Sequence, residues 1–282
     1  MIKGKNGIDV KKILKMIVLV SVYLATYFIV IFSTEVLFLD IVDFQNVHPF
    51  FVDNLGPSFL TLHDLIALPV YFLVLYLIHK KSLFKLSQFV KIQKRTVALS
   101  LLLGVCMGAW IMSIIQIPVI RDSYTQFEGL FSFLLTGNFV FVVLFIALHS
   151  VYKEIFFRGM IFNQLRNALW LPLAFLITGL IYGYLFFQWD IMLTIYGMLG
   201  AIIFNLVYIW YESIWATISV EFSLFMTYFI LREMSYGYGL LSNILLLVSS
   251  VAFIATMVIL YKQRQSALAR ENHADITQSI QS

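Results

Sequence analysis

A short charged motif interrupts sequence that is otherwise apolar. Lys153, Glu154 and Arg158 stand among its hydrophobic residues. On a helix, Glu154 and Arg158 share a face because they are four residues apart, while Lys153 points about 100° away from Glu154. Ionisable groups at membrane depth are costly, so they usually mark a site where charge is used. A salt bridge between Glu154 and Arg158 at the end of a membrane span is the open alternative.

Histidines are the other side chains that can bind a metal or carry a proton. Of the five in the chain, only His149 lies near the charged motif, one turn before Lys153. Two roles stay open for it, an auxiliary group of the site or a packed, hydrogen-bonded residue. The pair His63-Asp64 lies in a separate apolar run, facing either the interior of a bundle or its outer interface. The sequence does not choose between these positions.

The composition indicates which secondary structure carries the charged residues and the histidines. The chain has 282 residues, of which 61% are hydrophobic and only 12% charged. Repeated apolar runs of about 20 residues indicate membrane-spanning helices, and so the lipid bilayer as surroundings. The single cysteine, Cys106, excludes an intrachain disulfide and a cysteine metal cluster. The net charge of +4 comes from basic residues beside apolar runs, which indicates membrane topology rather than nucleic-acid binding.

The apolar runs predict an all-α polytopic bundle with eight spans. The predicted spans are about residues 12–33, 59–78, 97–118, 131–152, 169–187, 191–210, 213–231 and 239–261. We expect the fourth span to continue as a helix through the charged motif to about Leu165. The first span follows a basic stretch without a small-residue cleavage site, which predicts a retained anchor.

Lys and Arg predict the orientation. They cluster before the first span, after the second and after the eighth, whereas the segment 34–58 has none. This alternation predicts that both termini are cytoplasmic. We expect residues 1–261 to form one transmembrane domain and residues 262–282 a flexible cytoplasmic tail.

Two pairs of glycines have the small-xxx-small spacing that lets helix backbones approach closely. They are Gly104 with Gly108 and Gly179 with Gly183. We expect both pairs to pack helices within one bundle rather than to form a dimer seam.

Three motifs in order resemble those of the CPBP family of intramembrane proteases, which includes CAAX prenyl endopeptidases and the lysostaphin-resistance-like or Abi proteins. The stretch 153–161, KEIFFRGMI, resembles the first motif, E-E-x-x-x-R. The stretch 181–186, IYGYLF, resembles the second motif, F-x-x-x-H. Tyr208 and the stretch 213–216, SIWA, resemble the approach to the third motif, H-x-x-x-N. The similarity covers about residues 130–230.

The resemblance implies a hydrolytic mechanism. In the family, a glutamate of the first motif activates water as general base, and histidines of the second and third motifs hold or polarise that water together with a metal ion. This chain retains the second glutamate of the first motif as Glu154 and the arginine as Arg158.

Four other motif positions are substituted. The leading glutamate of the first motif is Lys153, the histidine of the second motif is Phe186, and the third motif has Glu221 for its histidine and Phe225 for its asparagine. A phenylalanine binds no metal, and a protonated lysine cannot act as a base. We therefore predict no metal or other cofactor, except for a divalent ion such as zinc if the site still works.

Two of the substitutions are complementary. Lys153 replaces an acid and Glu221 replaces a basic ligand, at positions that converge on one cavity in the family. We predict that they form a direct ion pair, with an ammonium–carboxylate distance below about 4 Å. Phe186 and Phe225 would fill the space around them.

Three functions remain open from the sequence. The first is a catalytically silent family member that regulates or scaffolds a membrane protein or transmembrane peptide. The second is an active endopeptidase that uses Glu154, Glu221 and His149 in an altered site. The third is a transporter or lipid-binding protein. The family resemblance and the short loops favour a multi-pass protein of a bacterial cytoplasmic membrane.

Overall fold

The structure, a computed structural model, describes residues 9–41, 49–80, 82–123, 125–187, 190–234 and 238–281. These residues contain helices and no strand. In chain order the helices are α1 (Val10–Ile41), α2 (Pro49–Asp53), α3 (Leu55–His79), α4 (Leu83–Leu86), α5 (Lys94–Ile115), α6 (Pro118–Ser123), α7 (Thr125–Leu135), α8 (Phe139–Glu154), α9 (Asn163–Ala168), α10 (Leu171–Phe187), α11 (Ile191–Tyr211), α12 (Ile214–Glu233) and α13 (Leu240–Gln281). A π-helical segment, Ile155–Phe162, joins α8 to α9.

The predicted all-α polytopic bundle is confirmed. Within the described residues, seven helical stretches are long and apolar enough to cross a membrane. The predicted fifth span corresponds to α10, which is shorter, with 17 residues. At a rise of 1.5 Å per residue, α10 is about 26 Å long, close to the thickness of the hydrocarbon core of a bilayer.

The predicted fourth span begins later than expected. Residues 131–135 belong to the separate helix α7, and the chain turns at Gly137, whose φ is +153°. Asn138 then caps α8, because its side-chain oxygen accepts hydrogen bonds from the backbone N–H groups of Val140 and Phe141 at 3.1 and 3.3 Å. A glycine at such a φ and an asparagine cap explain why an apolar run breaks here.

The expected continuation of this span through the charged motif is confirmed. Helix α8, the π-helical segment and α9 form one apolar stretch, Phe139–Ala168. Every residue of the π-helical segment is buried. Phe156 stacks between Tyr27 of α1 and Tyr71 of α3, with both ring-centroid distances at 5.4 Å. The motif therefore lies at the centre of the bundle rather than at its surface.

The last helix continues beyond its apolar part. It runs to Gln281 through residues expected to form a tail. The predicted flexibility of residues 262–282 stays a prediction.

Both glycine pairs pack helices inside the bundle, as predicted. A Cβ on Gly104 would lie 2.2 Å from the Val220 carbonyl oxygen of α12, and one on Gly108 would lie 2.4 Å from the Leu224 carbonyl oxygen. A Cβ on Gly183 of α10 would lie 2.5 Å from the side-chain methyl carbon of Thr194 in α11. Side chains at these positions would separate helices that must converge around the charged motif.

We predict that Gly104→Ala destabilises the bundle by about 1–3 kcal/mol, because its methyl group overlaps backbone that cannot move independently. The matched control is Gly200→Ala in α11, where an added Cβ meets nothing within 4 Å. That variant should unfold at or slightly above the wild-type temperature, since alanine favours helices. Thermal unfolding in detergent checks both, and equal transitions for the two variants would contradict the close packing.

Candidate functional site

Lys153 and Glu221 form a buried ion pair at the centre of the bundle. Lys153 lies in the last turn of α8 and Glu221 lies in α12, and both side chains are almost fully buried. The Lys153 ammonium donates a hydrogen bond to a Glu221 carboxylate oxygen and another, 2.9 Å long, to the Tyr182 hydroxyl of α10. The predicted pairing is confirmed. Three helices thus meet at one charged atom.

Aromatic rings enclose the ammonium. The Nζ atom of Lys153 lies 5.1 Å from the ring centroid of Tyr182 and 5.0 Å from those of Phe186 and Phe225. Ring faces at this distance attract a cation, and the attraction grows where water is excluded. The two phenylalanines therefore do more than fill space, because they add to the stabilisation that Glu221 gives.

The retained motif residues form a second ion pair. Arg158, in the π-helical segment, donates a 2.8 Å hydrogen bond to a Glu154 carboxylate oxygen, and both side chains are fully buried. The Arg158 guanidinium also lies 4.7 Å from the ring centroid of Phe204 in α11. With Lys153 and Glu221, the site holds two cations and two anions, so its formal charge is balanced.

His149 belongs to a different cluster. Its Nδ1 atom lies 2.9 Å from one Asp64 carboxylate oxygen, and the Nδ1 atom of His63 lies 3.2 Å from the other. Because an ionised carboxylate only accepts hydrogen bonds, each imidazole donates through Nδ1. All three side chains are buried between α3 and α8. The sequence left their orientation open, and the structure places both His63 and Asp64 in the interior.

These contacts decide what the site can do chemically. Within the described ranges, no group of three or more His, Cys, Asp and Glu side chains is arranged to hold a metal ion. At the motif positions, the Glu221 carboxylate binds an ammonium, and Phe186 and Phe225 have no ligand atoms. The residues present therefore do not fit the metal that the family resemblance implies.

Sequence reasoning missed two members of the site. Tyr182 was part of the second motif without an assigned role, yet it bonds to Lys153. Tyr208, which resembled a family position, accepts a 2.8 Å hydrogen bond from the side-chain amide of Asn163. The motif match placed both residues near the site, but their partners, Lys153 of α8 and Asn163 of α9, are shown only by the packed structure.

We predict that Lys153→Met destabilises the protein by about 3–5 kcal/mol, because it leaves a buried carboxylate without its partner. The double variant Lys153→Met/Glu221→Leu should recover most of that loss, since apolar residues often replace a buried ion pair at little cost. Unfolding by SDS in mixed micelles measures both.

A matched control for this cycle is Lys12→Met. Lys12 pairs with Asp9 at 3.8 Å, but both side chains are more than half exposed. Its loss should cost less than about 1 kcal/mol. If the single and double variants of the central pair were equally unstable, the two side chains would not depend on each other.

We also predict that Asp64→Asn lowers stability by about 1–3 kcal/mol, because the amide cannot accept both imidazole hydrogen bonds equally well in a buried place. The control is Asp53→Asn at an exposed position of α2. Comparison of the two unfolding transitions checks this, and an unchanged Asp64→Asn protein would mean that the cluster carries no stability.

Comparison with known proteins agrees with the geometry. Residues 135–224 match the family model described as Type II CAAX prenyl endopeptidase Rce1-like. No curated protein and no solved structure shows a significant match to the chain. The matched region runs from the end of α7 into α12 and includes Lys153, Glu154, Arg158, Phe186 and Glu221. Residues 135–224 are therefore similar to the Rce1-like family model, which belongs to the CPBP family that the three motifs resemble.

Proposed function

We propose that this multi-pass membrane protein is a non-catalytic member of its family, acting as a regulator or scaffold for a membrane protein or transmembrane peptide. The observation that carries the proposal is the buried pair of Lys153 with Glu221. This ion pair lies at two motif positions whose residues in the family activate water. Because the two charges neutralise each other, neither side chain is available for that reaction. A regulator needs the shape of the bundle and not its chemistry.

The remaining carboxylate does not restore a general base in this proposal. One Glu154 carboxylate oxygen accepts a hydrogen bond from the Arg158 guanidinium, so this oxygen is already engaged by a side chain of the same helix. His149, the auxiliary group considered from the sequence, donates to Asp64 of α3. These pairings give less support to an active endopeptidase built from Glu154, Glu221 and His149.

The proposal includes a location and a topology. The matched domain and the apolar helices support a multi-pass membrane protein. We place it in a bacterial cytoplasmic membrane, which the family resemblance and the short loops favour. Both termini are cytoplasmic in this proposal, because Lys and Arg cluster at one set of helix ends. In this proposal residues 1–261 form the transmembrane domain and residues 262–282 a cytoplasmic tail.

Purified protein should cleave no peptide, prenylated or unprenylated, above the rate in buffer. Loss of one general base costs about 10²–10⁴ in rate, and several motif positions are substituted here. Liquid chromatography with mass spectrometry of the peptides checks this. Cleavage by the wild type that disappears in a folded Glu154→Gln variant would contradict the proposal.

The regulatory part has its own test. We first identify a partner by cross-linking in native membranes. The activity of that partner should change in cells from which this protein has been deleted. Complementation with Glu154→Gln should restore that activity, provided that the variant reaches wild-type abundance. Restoration by the wild type alone at equal abundance would instead indicate that the retained carboxylate performs chemistry.

A further inference from the structure

A basic pocket lies away from the motif, where α5 begins and α13 leaves its apolar stretch. Its volume is about 460 Å³, and Arg95, Lys262 and Arg264 line it. The other lining residues are Gln93, Thr96, Tyr211, Ile259, Gln263, Ser266 and Ala267. No carboxylate is among these lining residues, and three of them carry a positive charge.

Hydrogen bonds hold the walls of the pocket together. The Gln263 side-chain amide of α13 donates to the Thr96 hydroxyl of α5 at 2.9 Å. The Tyr211 hydroxyl, at the end of α11, donates to the Leu260 carbonyl oxygen at 2.9 Å. The cationic side chains therefore lie on helices that are hydrogen-bonded to each other. Their relative positions are defined by this packing, unlike those of scattered surface lysines.

The order of residues along α5 and α13 indicates that the pocket lies where hydrocarbon gives way to water. Lys262 is the first charged residue after the apolar run of α13, and Arg95 is the last before the apolar run of α5. Basic pockets between transmembrane helices at this depth are suited to the phosphate of a lipid headgroup. Long basic side chains also reach toward that level from the ends of helices.

An apolar surface leads out of the pocket along α13. Ile259 lines the pocket and is itself exposed, as are Val251, Ile254 and Val258 in the preceding apolar part of the helix. An acyl chain that follows this surface would remain in hydrocarbon while its headgroup reaches the cations. A free phosphate ion would gain nothing from this surface.

We propose that this pocket binds the phosphate of an anionic phospholipid, with an acyl chain along the exposed face of α13. Arg95, Lys262 and Arg264 provide the charge, and the Thr96 and Ser266 hydroxyls offer hydrogen bonds. The lipid would link α5 to α13 at one end of the bundle. This site is independent of the motif and of the function proposed for it.

Native mass spectrometry of the full-length protein in detergent tests the proposal. The probes are phosphatidylglycerol, phosphatidylcholine with the same acyl chains, and inorganic phosphate. Wild-type protein should bind one phosphatidylglycerol at least about tenfold more tightly than phosphatidylcholine, since each cation contributes roughly fivefold. Inorganic phosphate should bind far more weakly than phosphatidylglycerol.

The triple variant Arg95→Gln/Lys262→Gln/Arg264→Gln should lose this preference, with an affinity lower by up to about a hundredfold. If the triple variant does not fold, the single variants Arg95→Gln and Lys262→Gln replace it in the binding measurement. The control is Lys91→Gln, an exposed cation beside α5 that does not line the pocket. It should bind as the wild type does.

Three results would overturn the proposal. Equal binding of the two lipids would mean that charge is not recognised. Retention of phosphatidylglycerol by the variants, or an equal loss in Lys91→Gln, would place the lipid elsewhere. Inorganic phosphate that binds as tightly as phosphatidylglycerol would indicate an anion site without a lipid.

Discussion

A charge buried inside a membrane bundle needs an opposite charge beside it, and this constraint governs the centre of the protein. Lys153 meets Glu221, and Glu154 meets Arg158. Either member of such a pair alone would be far more costly to bury than the pair. Helices α8 and α12 must therefore pack so that their ionisable residues coincide, and α10 adds the Tyr182 hydroxyl. The glycines that bring helices to backbone contact make this convergence sterically possible.

The same constraint explains how the residues at these motif positions fit together. A lysine in place of a carboxylate leaves a cation where a metal or a protonated histidine would repel it. A glutamate at the third-motif position removes that conflict, and the rings of Phe186 and Phe225 replace polar groups with faces that tolerate a cation. Each change is unfavourable alone in a hydrolytic site, but the set forms a neutral and well-packed interior. The scaffold is thus compatible with loss of the chemistry it resembles.

Local features of the sequence predicted much of this arrangement. The length of the apolar runs predicted the helices. The complementary charges at two motif positions predicted the ion pair of Lys153 with Glu221. The break before α8 was missed because Gly137 and Asn138 act through backbone geometry within an apolar run. The cluster of Asp64 with two histidines was also missed. Asp64 and His149 are 85 residues apart along the chain, and no local spacing indicates which face of α3 meets α8.

Metal binding tests the central claim most directly, because a hydrolytic centre and an ion pair compete for the same atoms. The measurement is the zinc content of purified wild-type protein, by elemental analysis after equilibration with zinc and removal of the excess. We expect no stoichiometric zinc in the wild type, and the same background in Glu221→Gln. One zinc per chain that disappears in Glu154→Gln or Glu221→Gln would contradict it, since those carboxylates would then serve a metal rather than Arg158 and Lys153.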